Sequence, residues 1–234
     1  MSPAEARVLV IGAGGLGCPA SLALLHAGVR RLSVWDHDVV DVSNLPRQLW
    51  HRDEDVGQPK VASLARHAAA AFPEARIEVR QARVEASEAA SLFAAHDVVV
   101  DGTDGPLAKF AFSDAAVQSG VPLVHGGVLR WEGLAMAIVP GGPCLRCLFE
   151  DPAQAALDGP TCASAGVIGA VAGWVGAQQA RLALELLGSR PESTGEARLH
   201  RMDGRRLRWR QTRVVRRDDC ACACAQGHRP GARA

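Results

Sequence analysis

Short continuous apolar runs alternate with stretches in which apolar residues recur at helical spacing, the pattern of strands alternating with helices. Val8–Ile11 reads as a buried strand, followed by a helix carrying Leu16, Ala20, Leu24 and Leu25 and a second strand over Arg31–Trp35. A helix over Lys60–Phe72 is expected from Val61, Leu64, Ala65 and Ala68. Ile77 and Val79 mark a third strand, and Ser87 opens a helix with Leu92 and Phe93 facing inward. Val98–Val100 is a fully buried strand, with a helix to follow around Lys109–Ser119. No helix fits between Pro122–Val128 and Leu134–Val139, so these strands are expected to pair antiparallel through a turn near Trp131–Gly133. A long Gly- and Ala-rich helix over Gly166–Leu187, facing the core or a second copy of the chain, and a hairpin about Gly204 complete the pattern.

Between the first strand and helix lie Gly12, Gly14, Gly15 and Gly17. Glycine there permits backbone angles closed to side chains and lets a phosphate approach amides at the helix start. Asp36 ends the next strand about 20 residues on, where a carboxylate can accept from a ribose. This unit suits NAD as well as ATP. The loop that follows is polar and turn-rich, yet Leu45, Leu49 and Trp50 predict that it packs beside the glycine turn. Arg47 and Lys60 bracket it, and each can reach a phosphate, although each alone is more often a solvated charge. Asp101 and Asp104 stand at the carboxyl end of the buried strand, where open parallel sheets bind ligands. Asp101 reads as a turn or helix-cap residue; Asp104 is the candidate for Mg²⁺, which takes one or two protein carboxylates beside phosphate oxygens.

Composition narrows the function classes. A net charge of +1 and pI near 7.7 make no overall call for nucleic acid or an anionic membrane. The apolar stretch Val167–Ala177 is short for a membrane span, and no charged-then-apolar leader opens the sequence, so a soluble cytoplasmic protein is expected. Seven cysteines, an odd number without an export signal, favour thiol or metal chemistry over disulfides. Cys144 and Cys147 have the C-x-x-C separation that grips Zn²⁺, with Cys220, Cys222 and Cys224 available to close a tetrahedron. Nine arginines lie between Arg198 and Arg217, opposed within that span by Asp203 alone. They are either the wet face of edge strands or a dock for an acidic protein. Asp151–Thr161 reads as a mobile loop and 226–234 as a disordered tail.

GAGGLG, the D-x-D of Asp36 and Asp38, NLPRQ at Asn44–Gln48, GQPK ending at Lys60, GTDG, PCLRC and TCASAGV occur in that order. Together they resemble the MoeB/ThiF/HesA family, bacterial relatives of ubiquitin-activating enzymes, over about residues 7–224. The resemblance implies an α/β fold: a Rossmann-like, mostly parallel sheet with helices on both faces, extended by antiparallel strands, plus a small zinc-binding region. It implies one adenylation domain over 1–225, with a nucleotide-binding half (1–128) and an antiparallel, zinc- and carrier-binding half (129–225). The implied reaction is ATP-dependent adenylation of the C-terminal glycine of a small ubiquitin-like sulfur carrier ending in Gly-Gly, before sulfur loading for molybdopterin, thiamine or a related pathway. A sulfurtransferase or cysteine desulfurase and a homodimer are the implied partners; nucleic acid and membrane are not.

Carried over by position, Gly12, Gly14, Gly15, Asp36 and Asp38 fall at the nucleotide, with Asn44 and Gln48 in the same motif. Arg47 and Lys60 fall at the phosphates, Asp104 at Mg²⁺, and Cys144, Cys147, Cys220 and Cys224 at zinc, Cys222 being the alternative fourth ligand. Cys162 matches the crossover-loop cysteine, either an acyl-linking thiol or a buried helix-start residue; Cys18 reads as a small apolar helix residue. The chain departs from the family pattern at Gly105, where Asn is usual, in the C-A-C-A-C run, and in a shorter N-terminal lead-in. Two other readings are therefore carried: a nicotinamide-dependent oxidoreductase and a non-catalytic carrier-binding homologue.

Overall fold

A computed structural model describes residues 1–149, 166–189 and 194–222. Asp151–Thr161, Cys162, Cys224 and the 226–234 tail lie outside the described residues. Strands β1 (Arg7–Ile11), β2 (Arg31–Trp35), β3 (Arg76–Arg80), β4 (Val98–Asp101), β5 (Leu123–Leu129), β6 (Glu132–Ile138), β7 (Glu196–Asp203) and β8 (Arg208–Val215) form one sheet in the order β3-β2-β1-β4-β5-β6-β7-β8. The first five strands are parallel, and β5 through β8 pair antiparallel. β1 and β4 are buried on both faces, which is why they read as unbroken apolar runs.

Helices α1 (Gly17–His26), α2 (Lys60–Ala71) and α6 (Gly169–Gly188) cover one face, meeting Val8, Val10, Val98 and Val100 through Leu24, Leu64 and Ala183. Helices α3 (Ala86–Ala94), α4 (Pro106–Ser119) and the short α5 (Leu145–Leu148) cover the other, where Phe93, Phe112 and Leu145 pack on Leu9, Val99 and Met136. Ala172, Gly176, Ala180 and Ala183 of α6 are buried within this chain, while Ala170 and Ala177 are exposed. A methyl on Gly176 would strike the Leu16 carbonyl and the Pro19 ring, so α6 lies close against α1.

Some boundaries differ from expectation for local reasons. Helix α4 starts at Pro106, where a missing N–H does no harm, so its N-cap is Gly105 and not Asp101. Helix α6 starts at Gly169, because Gly166 has φ +74° and residues 166–168 hydrogen-bond with Arg130 instead. Trp50 is buried beside α1, as the loop reading requires, but Leu49 is 61% exposed. No described helix is long and apolar enough to cross a membrane.

The loop between β2 and α2 is held by Asp55, a fully buried carboxylate that accepts from the Ser63 hydroxyl (2.7 Å), the Arg52 N–H (2.9 Å) and His67, and pairs with Arg66. Burial raises its pKa, but these donors outweigh burial and bring it down to about 2. A depressed carboxylate pKa stabilises the fold above the ordinary value and loses that contribution as pH falls. Asp55→Asn is expected to lower stability at pH 7 by about 2 kcal/mol. In urea titrations between about pH 4 and pH 2, wild type should lose stability more steeply than the variant.

Candidate active-site cleft

The cleft is built outward from the β1–α1 turn. Gly12 has φ +95°, and a methyl there would meet the Gly102 carbonyl; a methyl on Gly17 would overlap the Gly12 carbonyl oxygen. The ends of β1 and β4 thus touch backbone to backbone. Ala13 is fixed from two sides: its N–H donates to Asp36 Oδ2 at 2.7 Å, and His51 Nε2 donates to its carbonyl at 3.0 Å. Asp36 Oδ1 takes the Asp38 N–H, also at 2.7 Å. The carboxylate placed by sequence at the ribose therefore also shapes the turn, with its remaining lone pairs open to a ligand. Burial keeps His51 below its ordinary pKa.

Gly12, Gly14, Gly15, Asp36, Asp38, Asn44, Arg47, Gln48, Lys60 and Asp104 line one cleft of about 1560 Å³. Lys60 is buried there, its ammonium 2.8 Å from Asp38 Oδ2. Burial raises the Asp38 pKa, but Lys60 outweighs it and holds the carboxyl below its usual range. Arg47 lies along the turn, donating to the Ser43 carbonyl and to Asn44 Oδ1, both at 2.9 Å. Gln48 Nε2 shares that Asn44 oxygen at 3.0 Å, so the NLPRQ motif is one hydrogen-bonded unit. Asp104 is exposed in the cleft lining and makes no hydrogen bond or ion pair among the described residues.

Two cleft residues were not singled out from the sequence. Lys109 Nζ donates to Asp101 Oδ2 at 3.2 Å and to the Gly126 carbonyl at 2.6 Å, while His125 Nδ1 lies 3.3 Å from the same Asp101 oxygen. Burial raises the Asp101 pKa, but Lys109, His125 and Thr103 together push it far below the usual carboxylate range. Asp101 is a turn residue, accepting from the Thr103 N–H, and also the buried anchor of this group. A lysine one turn after Gly105 was the available signal, but it reads equally as a wet helix face.

Cys144 Sγ lies 2.8 Å from Cys222, 3.5 Å from Cys220 and 3.9 Å from Cys147. The sulfurs of Cys144, Cys220 and Cys222 lie within 4.8 Å of one another with Cys147 beside Cys144, a grouping of thiols of the kind that holds Zn²⁺. Cys222, the alternative ligand, belongs to the described cluster, while Cys224, favoured from the sequence, lies outside the described residues. The Cys144 thiol is held below its ordinary pKa by hydrogen bonding to Cys222, toward the thiolate that binds metal. Cys18 is buried as expected, its thiol pushed up to about 12 by desolvation.

The ThiF family profile matches residues 4–224. The chain belongs to the ThiF family. Among relatives of this ThiF-family chain, the SAMP-activating enzyme E1 of Haloferax volcanii is 43% identical over 87% of the chain and 72% of its own length. The adenylyltransferase and sulfurtransferase uba4 of Aspergillus terreus is 40% identical over 84% of the chain, and MOCS3 of Anopheles gambiae 37% over 95%. The chain spans only 42% and 50% of those two proteins. The E. coli MccB structure with ATP superposes with a TM-score of 0.80 over 94% of the chain and 68% of MccB; at 17% identity it shows a shared fold.

Removing one partner of a buried ion pair strands the other charge. Lys109→Met is expected to lower stability at pH 7 by about 3 kcal/mol in chemical denaturation. Asp101, relieved of its ammonium, will take a proton at higher pH, so the gap to wild type should narrow on acidification.

Proposed function

We propose that the protein uses ATP to adenylate the C-terminal glycine of a small ubiquitin-like carrier ending in Gly-Gly, preparing it for sulfur loading by a separate sulfurtransferase or cysteine desulfurase. The observation that carries this is the shared cleft: Arg47, Lys60 and Asp104 line one hollow together with the glycine turn. Curated relatives named as an E1 activating enzyme and as adenylyltransferases support the same chemistry.

A carrier carboxylate is already ionised at neutral pH. One of its oxygens attacks the α-phosphorus, the bond to the β-phosphate oxygen breaks, and pyrophosphate leaves; no proton moves. The work is alignment and neutralisation of charge developing on the leaving group. Arg47 and Lys60 offer donors to the phosphates, and Asp36 offers lone pairs to the ribose. Asp104 has both carboxylate oxygens uncommitted among the described residues, which suits Mg²⁺; that ion would supply positive charge at the phosphates when bound. Cys144, Cys147, Cys220 and Cys222 fit structural Zn²⁺, and since Leu145 and Phe149 flank Cys147 and line the cleft, the metal would brace its wall. A hydride-transfer enzyme has no use for the cation pair at Arg47 and Lys60. A homodimer forms part of the proposal on family grounds.

ATP–pyrophosphate exchange is expected only when a Gly-Gly-ended carrier is added. Silence with every ubiquitin-fold carrier of the same genome would sink the reading. Arg47→Ala and Lys60→Met should each reduce exchange kcat/KM on the order of 100-fold, and Asp104→Asn should shift the Mg²⁺ requirement upward. For the thiol cluster, metal analysis should find one zinc per chain, lost in Cys144→Ser; a variant that retains its zinc contradicts the assignment.

A further inference from the structure

We infer that the carrier is chosen by carboxylates on its surface, received by Arg201, Arg208 and Arg210 at the outer edge of the cleft; this rests on the proposed carrier adenylation. These arginines line the same cleft as Asp104. Register places side chains in lateral rows across the last four strands. One row runs Gly127, Leu134, Arg201, Arg210 and the next Leu129, Glu132, Asp203, Arg208. The inner columns hold Gly127, Leu129 and Leu134 with one acid, Glu132; the outer columns hold Arg201, Arg208 and Arg210 with one acid, Asp203. Adjacent strands lie about 4.8 Å apart, which puts Arg201 about 10 Å and Arg210 about 14 Å from β5. An extended tail on the inner columns thus brings the body of its protein over β7 and β8.

The charge pattern says what that body must carry. Arg201 stands directly opposite Arg210, a like-charge pairing that weakens a sheet. On the other face the equivalent pairing, Arg198 with Arg213, is relieved: Arg198 donates to Gln211 Oε1 at 3.1 Å and Arg213 pairs with Glu196. On the cleft face nothing relieves it. Arg201, Arg208 and Arg210 are exposed and make no hydrogen bond or ion pair through their side chains among the described residues, and Asp203 is taken by Arg206. Glu132 and Asp203 interrupt the patch, an arrangement that would repel a continuous phosphate backbone but leaves room for separate carboxylates.

Exchange measured against carrier concentration tests this in the full chain. Arg201→Glu with Arg210→Glu should raise the carrier KM at least about tenfold, with ATP KM and kcat at saturating carrier unchanged. Arg201→Gln with Arg210→Gln should raise it less and flatten the salt dependence of KM. Arg213→Gln, on the far face, should leave KM alone. An unchanged carrier KM in both double variants overturns the inference while the proposed function stands. Loss of RNA binding in these variants with carrier KM intact also overturns it. No exchange by wild type with any carrier defeats the function itself, and this inference with it.

Discussion

The cleft depends on one backbone contact: the carbonyl of Gly12, the start of α1 at Gly17 and the backbone of Gly102 meet with no space for a Cβ. Because β1 and β4 are adjacent in the sheet, this contact makes the glycine turn and the β4 turn a single rigid rim. Asp36 and His51 then fix the Ala13 peptide from opposite sides, so its orientation is set before any ligand arrives. A phosphate site made of amides requires such fixing, since each misaligned N–H is a weak donor.

The second constraint is the change of strand direction at β5. Parallel strands need crossovers, and here those crossovers are helices that cover both faces; antiparallel strands need only short turns. Among the described residues, the connections from β6 outward add only the four residues of α5 to the face covered by α3 and α4. Gln179 of α6 joins the two regimes. Its amide donates to the Asp101 carbonyl at 2.7 Å and the Val124 carbonyl at 3.1 Å, and Gly126 lacks a side chain because that amide fills the space.

What the sequence disclosed follows from the range of the forces involved. The parallel core was legible because burial on both faces demands runs such as Val8–Ile11 and Val98–Val100, and the glycine turn because backbone contact demands glycine at fixed spacing. The NLPRQ unit was legible as a motif, though not as the hydrogen-bonded arch centred on Asn44 Oδ1. The Asp101–Lys109–His125 group was not legible: its members are separated by 8 and 24 residues and meet only once β4, β5 and α4 have packed. Nothing local in the sequence marks Gln179, whose amide caps two strands. Leu49 was misread because one buried tryptophan, Trp50, suffices to pin its loop.

The two cations proposed to face the phosphates, Arg47 and Lys60, are held differently. Lys60 is an ammonium in a nearly closed environment, tolerable because Asp38 lies at 2.8 Å, itself half-exposed and able to shed its partner toward water. A phosphate entering the cleft competes with Asp38 for the same ammonium, so part of its attraction is spent releasing an existing pair. Arg47 instead has neutral partners, the Ser43 carbonyl and the Asn44 amide oxygen, which orient the guanidinium without neutralising it. Its charge is undiminished toward the cleft. On the proposed function, Arg47 is the group suited to meet charge that grows during bond breaking, and Lys60 the group whose pairing would change when nucleotide first binds.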